Sequence, residues 1–168
     1  DSEIDHYDLA IVLDCGDIKR LNGFANYFEY ANCKISIDHH EANTMFADYN
    51  FVNPAAPACA QIILYICECL GIEINKDQGT CLLTGIITDT GGLRYESVTA
   101  ETFEFVADIV KMGVKSSTIY EKAFAAISRE KFEVRKLANN RLEFLEDGKI
   151  AFTYVTSLPI ELNILLTW

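Results

Sequence analysis

The chain is poor in several things, and each shortage excludes a class of protein. Its 168 residues contain no apolar run near the roughly 20 needed to cross a bilayer. The opening Asp1-Ser2-Glu3-Ile4-Asp5 is acidic, unlike a secretory signal. A soluble cytoplasmic protein with no membrane partner is therefore the expectation. Positive charge is short as well, with 14 Lys and Arg against 25 Asp and Glu. The resulting net charge of −11 argues against broad attraction to long duplex nucleic acid, so any phosphate must be met locally. A bound divalent cation would supply that local charge. The six cysteines include no Cys-x-x-Cys pair, which disfavours a zinc site and suits reduced core residues. Histidine is rarer still, three in all, and two of the three are adjacent.

Half of the residues are hydrophobic, enough for one ordinary domain with a buried core. Leu9-Ala10-Ile11-Val12-Leu13 is an apolar run too short for a helix and predicts a strand buried on both faces, with Asp14 at its exit. Asp17 can cap a following helix carrying Leu21, Phe24, Ala25 and Phe28. Ile35-Ser36-Ile37 then predicts a second strand, leading into Asp38-His39-His40. Strand, helix, strand implies a parallel pair, and ligands of such sheets bind outside the C-terminal strand ends. Asp14 and the Asp-His-His group would meet there. Consecutive residues leaving a strand point to opposite faces, so His39 and His40 should serve different partners, one a metal and the other substrate. Polar groups capping the next turn are the plainer alternative.

Glu41 to Phe51 has no clear period and reads as a loop, after which Pro57 can open a helix striped by Ala60, Ile63, Leu64, Cys67 and Leu70. Lys76 to Thr88 reads as a further helix, weakened by Gly79 and Gly85, that runs into Asp89. An acid at a helix C-terminus opposes the macrodipole unless something positive lies nearby, and a metal would answer that. Helices are also expected from Thr99 to Met112, after Ser116 or Ser117, and from Lys131 to Leu145. A turn at Asp147-Gly148 leads to a strand at 150–155. The fold class is thus α/β, a parallel sheet flanked by helices, with a boundary near Asp147.

Three segments carry a family likeness: Val12-Leu13-Asp14-Cys15-Gly16-Asp17, Asp38-His39-His40, and Gly85-Ile86-Ile87-Thr88-Asp89-Thr90-Gly91. In order and spacing they resemble the second, third and fourth motifs of the DHH phosphoesterases. With Asn53-Pro54 and Arg94-Tyr95, the chain is most similar to the bifunctional oligoribonuclease and pAp phosphatase branch. The resemblance implies a two-manganese hydrolase, with magnesium as the other candidate ion. In it Asp14 bridges both metals, His39 and Asp89 bind the second, His40 contacts the scissile phosphate, and Asp38 orients a histidine. Arg94 is a candidate substrate contact. A metal pair of this kind activates water and neutralises phosphoryl oxygens during in-line attack. The implied substrates are short RNA and nucleoside 3′,5′-bisphosphate, and a homodimer is the assembly considered.

Two departures shape the expectation. The family's first motif, a His and two Asp ahead of the second, is missing, because His6 lacks the Asp partners of that pattern. The glycine-rich C-terminal substrate domain is missing too. The resemblance therefore implies a partial DHH catalytic domain over residues 1–146, then a linker and the start of a truncated domain over 147–168. Such a piece would be inactive alone and would expose a sheet edge. The alternatives are a nucleotide-binding relative without catalysis, or another branch of the family, a manganese pyrophosphatase or a cyclic dinucleotide phosphodiesterase.

Overall fold

The structure, a computed structural model, describes residues 6–156. Most of the closing segment assigned above to a linker, from residue 157 onward, lies outside the described residues. The chain divides into two compact units, one reaching to Tyr120 and the other beginning at Glu121.

The first unit is built on a parallel three-stranded sheet of β1 (Tyr7–Leu13), β2 (Ala31–Asp38) and β3 (Tyr49–Val52), in that spatial order. Leu13 is level with Ile37, and Ile37 with Phe51, so all three strands run toward the same edge. Between β1 and β2 the chain forms a 3-10 turn (Ile18–Phe24) and a short helix α1 (Ala25–Glu29). Asp17 caps this crossover as its sequence suggests, accepting from the Lys19 N–H at 2.8 Å. The expected single helix is broken at Asn22, whose φ of 47° is not helical. The third strand, β3, falls where sequence reasoning expects loop. Four residues are too few to show a period, and β3 exists because β2 offers it a ladder.

Helices α2 (Cys59–Cys69), α3 (Lys76–Asp89), α4 (Ala100–Lys111) and α5 (Ser116–Tyr120) complete the unit. Pro57 precedes α2 rather than opening it, since the N-cap is Ala58. Asn75 and Thr99 close capping boxes with Gln78 and Thr102 at the starts of α3 and α4. Leu83, Ile86, Ile87 and Ile109 are at most 1% exposed at the centre of the helical core. Each such side chain stabilises by about 1.5–3 kcal/mol. The glycines that weaken α3 as a prediction are explained by its packing. A Cβ on Gly85 would stand 3.0 Å from that of Ala60, and one on Gly79 would stand 3.3 Å from Ile109. A second cluster of Ile37, Ala56, Cys59 and Ile62 fastens α2 beneath β2.

One expectation fails at β1, which is not buried on both faces. Leu9, Ile11 and Leu13 are about half exposed along a groove of about 510 Å³ that Leu21, Phe24 and Tyr27 also line. An apolar run specifies a strand, but it does not specify how many layers cover it.

The second unit contains a π-helical turn (Glu121–Ala125), the helix α6 (Arg129–Asn140) and an antiparallel hairpin of β4 (Glu143–Leu145) and β5 (Ile150–Phe152). Asp147-Gly148 is its turn. The expected helix to Leu145 ends early because residues 143–145 pair with β5 instead. Among the described residues no helix is long and apolar enough to cross a membrane.

Candidate metal centre

Three segments bring their acids to the C-terminal edge of the sheet. Asp14 follows β1, and its N–H still donates to the Ile37 carbonyl at 3.0 Å, prolonging the ladder by one residue. Its φ of 57° then turns the chain away. Aspartate enters this left-handed region more readily than most residues. Asp38 ends β2 and is fully buried. Asp89 is the last residue of α3, delivered from the helical layer.

The His39 ring stands between Asp14 and Asp89, with Nε2 at 3.3 Å from Asp14 Oδ1 and 3.9 Å from Asp89 Oδ2. Its Nδ1 lies 3.1 Å from the Ala56 carbonyl. A carbonyl only accepts, so Nδ1 carries the proton, and in the neutral ring the Nε2 lone pair faces the two carboxylates. Asn53-Pro54 has a local role here. Asn53 N–H donates to the Asp38 carbonyl, and its own side chain and carbonyl hold the N–H groups of Ala55 and Ala56. That turn places the Ala56 carbonyl behind His39.

His40 is oriented differently. Its Nδ1 is 2.7 Å from Asp38 Oδ1 and 3.7 Å from Asp14 Oδ1. The buried Asp38 also accepts from the His39 N–H at 2.8 Å and from Asn43 Nδ2 at 2.6 Å. Burial alone would raise the Asp38 carboxyl; the hydrogen bonds from Asn43, His40 and the backbone outweigh it and hold the group below its ordinary range. An ionised Asp38 makes His40 Nδ1 the donor and leaves His40 Nε2 open. Each imidazole has its own hydrogen-bond partner, the Ala56 carbonyl for His39 and Asp38 for His40, yet both approach Asp14 Oδ1 and they do not diverge as strand alternation suggests. Their centroids are 4.7 Å apart in an edge-to-face contact. β2 ends at Asp38, so its alternation no longer governs the next residues.

Asp14, His39 and His40 present ligand atoms within 4.8 Å of one another. Asp89 stands beside this group, with Oδ2 at 3.9 Å from His39 Nε2, while His40 is hydrogen-bonded to Asp38 through Nδ1. Burial, and then the negative charge of Asp14, push the Asp89 carboxyl above its ordinary range, with His39 and His40 opposing. An imidazole lone pair aimed at two carboxylates is repulsive unless a proton or a cation lies between them. Carboxylate and imidazole donors together suit a divalent cation, so the residues fit an ion of the class that the resemblance implies.

Arg94 forms no ion pair with these acids among the described residues. Its side chain is exposed, and its Nε donates to the Gly91 carbonyl at 2.6 Å. Tyr95 lies over Gly91, where any Cβ would come within 2.6 Å of the ring and where φ is +58°, so glycine is required. Cys59 sits beneath the centre and donates its thiol to the Ile37 carbonyl. Burial and the surrounding carboxylates push it up to about 11, which keeps it a neutral core residue. Asn43 is the polar member that sequence reasoning misses. Its only signal is an Asn-Thr pair, a turn former, inside an aperiodic segment.

A family model described as "DHH family, N-terminal domain" matches residues 1–86. The chain is 35% identical over 88 residues to a Thermus thermophilus protein named "Bifunctional oligoribonuclease and PAP phosphatase NrnA", covering 52% of this chain and 27% of that one. It is 26% identical over 145 residues to the "Probable bifunctional oligoribonuclease and PAP phosphatase NrnA" of Streptococcus mutans, covering 84% of this chain and 44% of the relative. Among solved structures, an exopolyphosphatase-related protein from Bacteroides fragilis superposes with a TM-score of 0.79 at 23% identity, over 86% of this chain and 43% of that one. That likeness shows the α/β fold. The chain thus spans less than half the length of each of these relatives.

Proposed function

The chain belongs to the DHH family, and on that premise we propose that it carries the metal-binding and phosphate-contacting face of a metal-dependent phosphoesterase. The observation that carries this reading is the committed orientation of His39, with Nδ1–H on the Ala56 carbonyl and Nε2 turned to Asp14 and Asp89. A carbonyl behind the ring fixes a ligand's tautomer before the metal arrives.

Asp14, His39 and Asp89 would hold manganese, with magnesium the alternative, and Asp14 would be shared with a second ion in the full-length enzyme. When bound, such ions supply positive charge to phosphoryl oxygens and acidify the attacking water. His40 stays off the metal. With Nδ1–H braced by Asp38, it presents Nε2 to the substrate, and a proton taken up there is shared with a phosphate oxygen, an interaction that strengthens as charge grows in the transition state. The names of the relatives support short oligoribonucleotides and nucleoside 3′,5′-bisphosphate as substrates in the full-length protein. The acidity of the chain favours such small substrates over long nucleic acid. Residues 1–146 would form the catalytic part, with 147–168 leading to a separate substrate domain.

Manganese titration by calorimetry, with hydrolysis of both substrates in the full-length protein, tests this reading. His39→Ala should lose metal and turnover together. His40→Ala should keep nearly all the metal and lose turnover by about 10²-fold or more. If His40→Ala empties the centre while His39→Ala spares it, the two roles are reversed.

A further inference from the structure

Asn43 lies between the two loops that carry the acids and is hydrogen-bonded to both. Its Nδ2 donates to Asp38 Oδ2 at 2.6 Å and to the Cys15 carbonyl at 3.3 Å. Its Oδ1 accepts from the Met45 N–H at 2.7 Å, and its own N–H donates to the His40 carbonyl at 3.1 Å. Next to it, Thr44 donates both N–H and hydroxyl to the Gly16 carbonyl. The amide cannot be turned over. Reversal would set its oxygen against a carboxylate and its NH2 against an N–H.

The division of labour at Asp38 gives this contact its consequence. Oδ1 receives His39 N–H and His40 Nδ1–H, while Oδ2 receives Asn43. Rotation about the Cβ–Cγ bond of an aspartate is soft, so a carboxylate held at one oxygen can swing. Asn43 holds the other oxygen. The Gly16 backbone closes the same space, since a Cβ there would come 3.6 Å from Asp38 Oδ2 and 3.8 Å from the His40 Cβ.

We propose that Asn43 is a positioning residue for this centre: through Asp38 it fixes which nitrogen of His40 carries the proton, and through Cys15 it ties the Asp14 loop to the Asp38-His39-His40 segment. The part played by His40 at phosphate rests on the proposed function, but the tautomer does not. Without Asn43 a buried acceptor is orphaned, and the aim of Oδ1 at His40 relaxes.

The substitution Asn43→Asp separates the two roles of this side chain. It keeps an acceptor for the Met45 N–H, and so the local turn, but it removes both donors and sets a carboxylate against Asp38. Asn43→Ser is the uncharged counterpart. Its hydroxyl can serve the turn but is too short to reach Asp38, and it decides the matter if Asn43→Asp does not fold. The readout is the ring tautomer of each histidine, by proton and nitrogen NMR of the metal-free chain at one pH where neutral rings dominate. With three histidines in the chain, assignment is simple.

His40 should be mainly Nδ1–H in the unmodified chain. In the variants its tautomer ratio should shift about tenfold toward Nε2–H, the worth of one ordinary hydrogen bond. His39, held by Ala56, should not move. If His40 keeps its tautomer in a folded variant, or if His39 shifts as much as His40, Asn43 has no specific role of this kind. The measurement involves neither metal nor substrate. Failure of the full-length protein to hydrolyse either substrate would remove the phosphoesterase reading and leave this one standing, and an unmoved tautomer would do the reverse.

Discussion

Asp14 and Asp38 stand level with each other at the ends of neighbouring parallel strands, yet the structure treats them in opposite ways. Asp38 is fully buried and receives side-chain donors from His40 and Asn43 as well as the His39 N–H. The Asp14 side chain is 46% exposed, and its neighbours are the imidazoles of His39 and His40. A carboxylate with its lone pairs already committed cannot serve as a ligand; one with them open can. The same residue type is thus framework on the covered strand and ligand on the edge strand, and burial makes the difference. Buried hydrogen-bonded charges are costly to disturb, whereas exposed ones contribute little to folding.

The largest expected effect sharpens that contrast. Asp38→Ala should cost about 1–3 kcal/mol of folding stability, because it leaves three part-buried donors without their acceptor at once. Denaturant unfolding would measure it, and a loss under about 1 kcal/mol would mean that Asp38 is not the framework of this edge. Asp14→Asn comes next, on the other side of the comparison. Asparagine accepts the left-handed backbone at position 14, so stability should change by no more than about 0.5 kcal/mol. Manganese affinity should nevertheless fall by about 100-fold or more, at least the upper range for losing a ligand's supporting partner. Calorimetry on the folded variant reads this directly. Unchanged affinity would move the ion away from Asp14.

Much of this contrast could be read in the sequence, but not its cause. Asp14, Asp38 and Asp89 announce themselves because each follows an element whose apolar pattern ends there, and parallel connectivity brings strand exits together. The exposure of Leu9, Ile11 and Leu13 could not be read, because a strand's own residues do not record its neighbours. β3 hid for a related reason: Tyr49–Val52 is a strand through its pairing with β2. The mutual contact of His39 and His40 is not legible because strand alternation stops at Asp38, ahead of both rings. Asn43 was the hardest to see. Its partners Cys15 and Asp38 lie on different strand exits, and only the folded sheet brings them within reach of one side chain.

Asp89 tests whether the contrast extends to a third carboxylate, with the smallest effect expected. It belongs with Asp14 rather than Asp38, since among the described residues no hydrogen-bond donor offsets its burial, and the nearby charge of Asp14 repels it. A carboxyl raised above its unfolded value binds its proton more tightly in the folded chain. It therefore adds stability below the unfolded value of about 3.9, and that stability is lost as pH rises through the higher folded value. The contribution of Asp89 to the metal-free chain should fall across that window, opposite in sign to that of Asp38, so the difference between the unmodified chain and Asp89→Asn isolates it. At neutral pH the variant should be more stable than the unmodified chain by about 1 kcal/mol or less, while binding manganese more weakly. Thermal unfolding from below the unfolded value of about 3.9 up to neutral pH, with manganese added at the neutral end, measures both sides. If Asp89→Asn destabilises the metal-free chain at neutral pH, then Asp89 is framework like Asp38, and the ion must be sought between Asp14 and the two histidines alone.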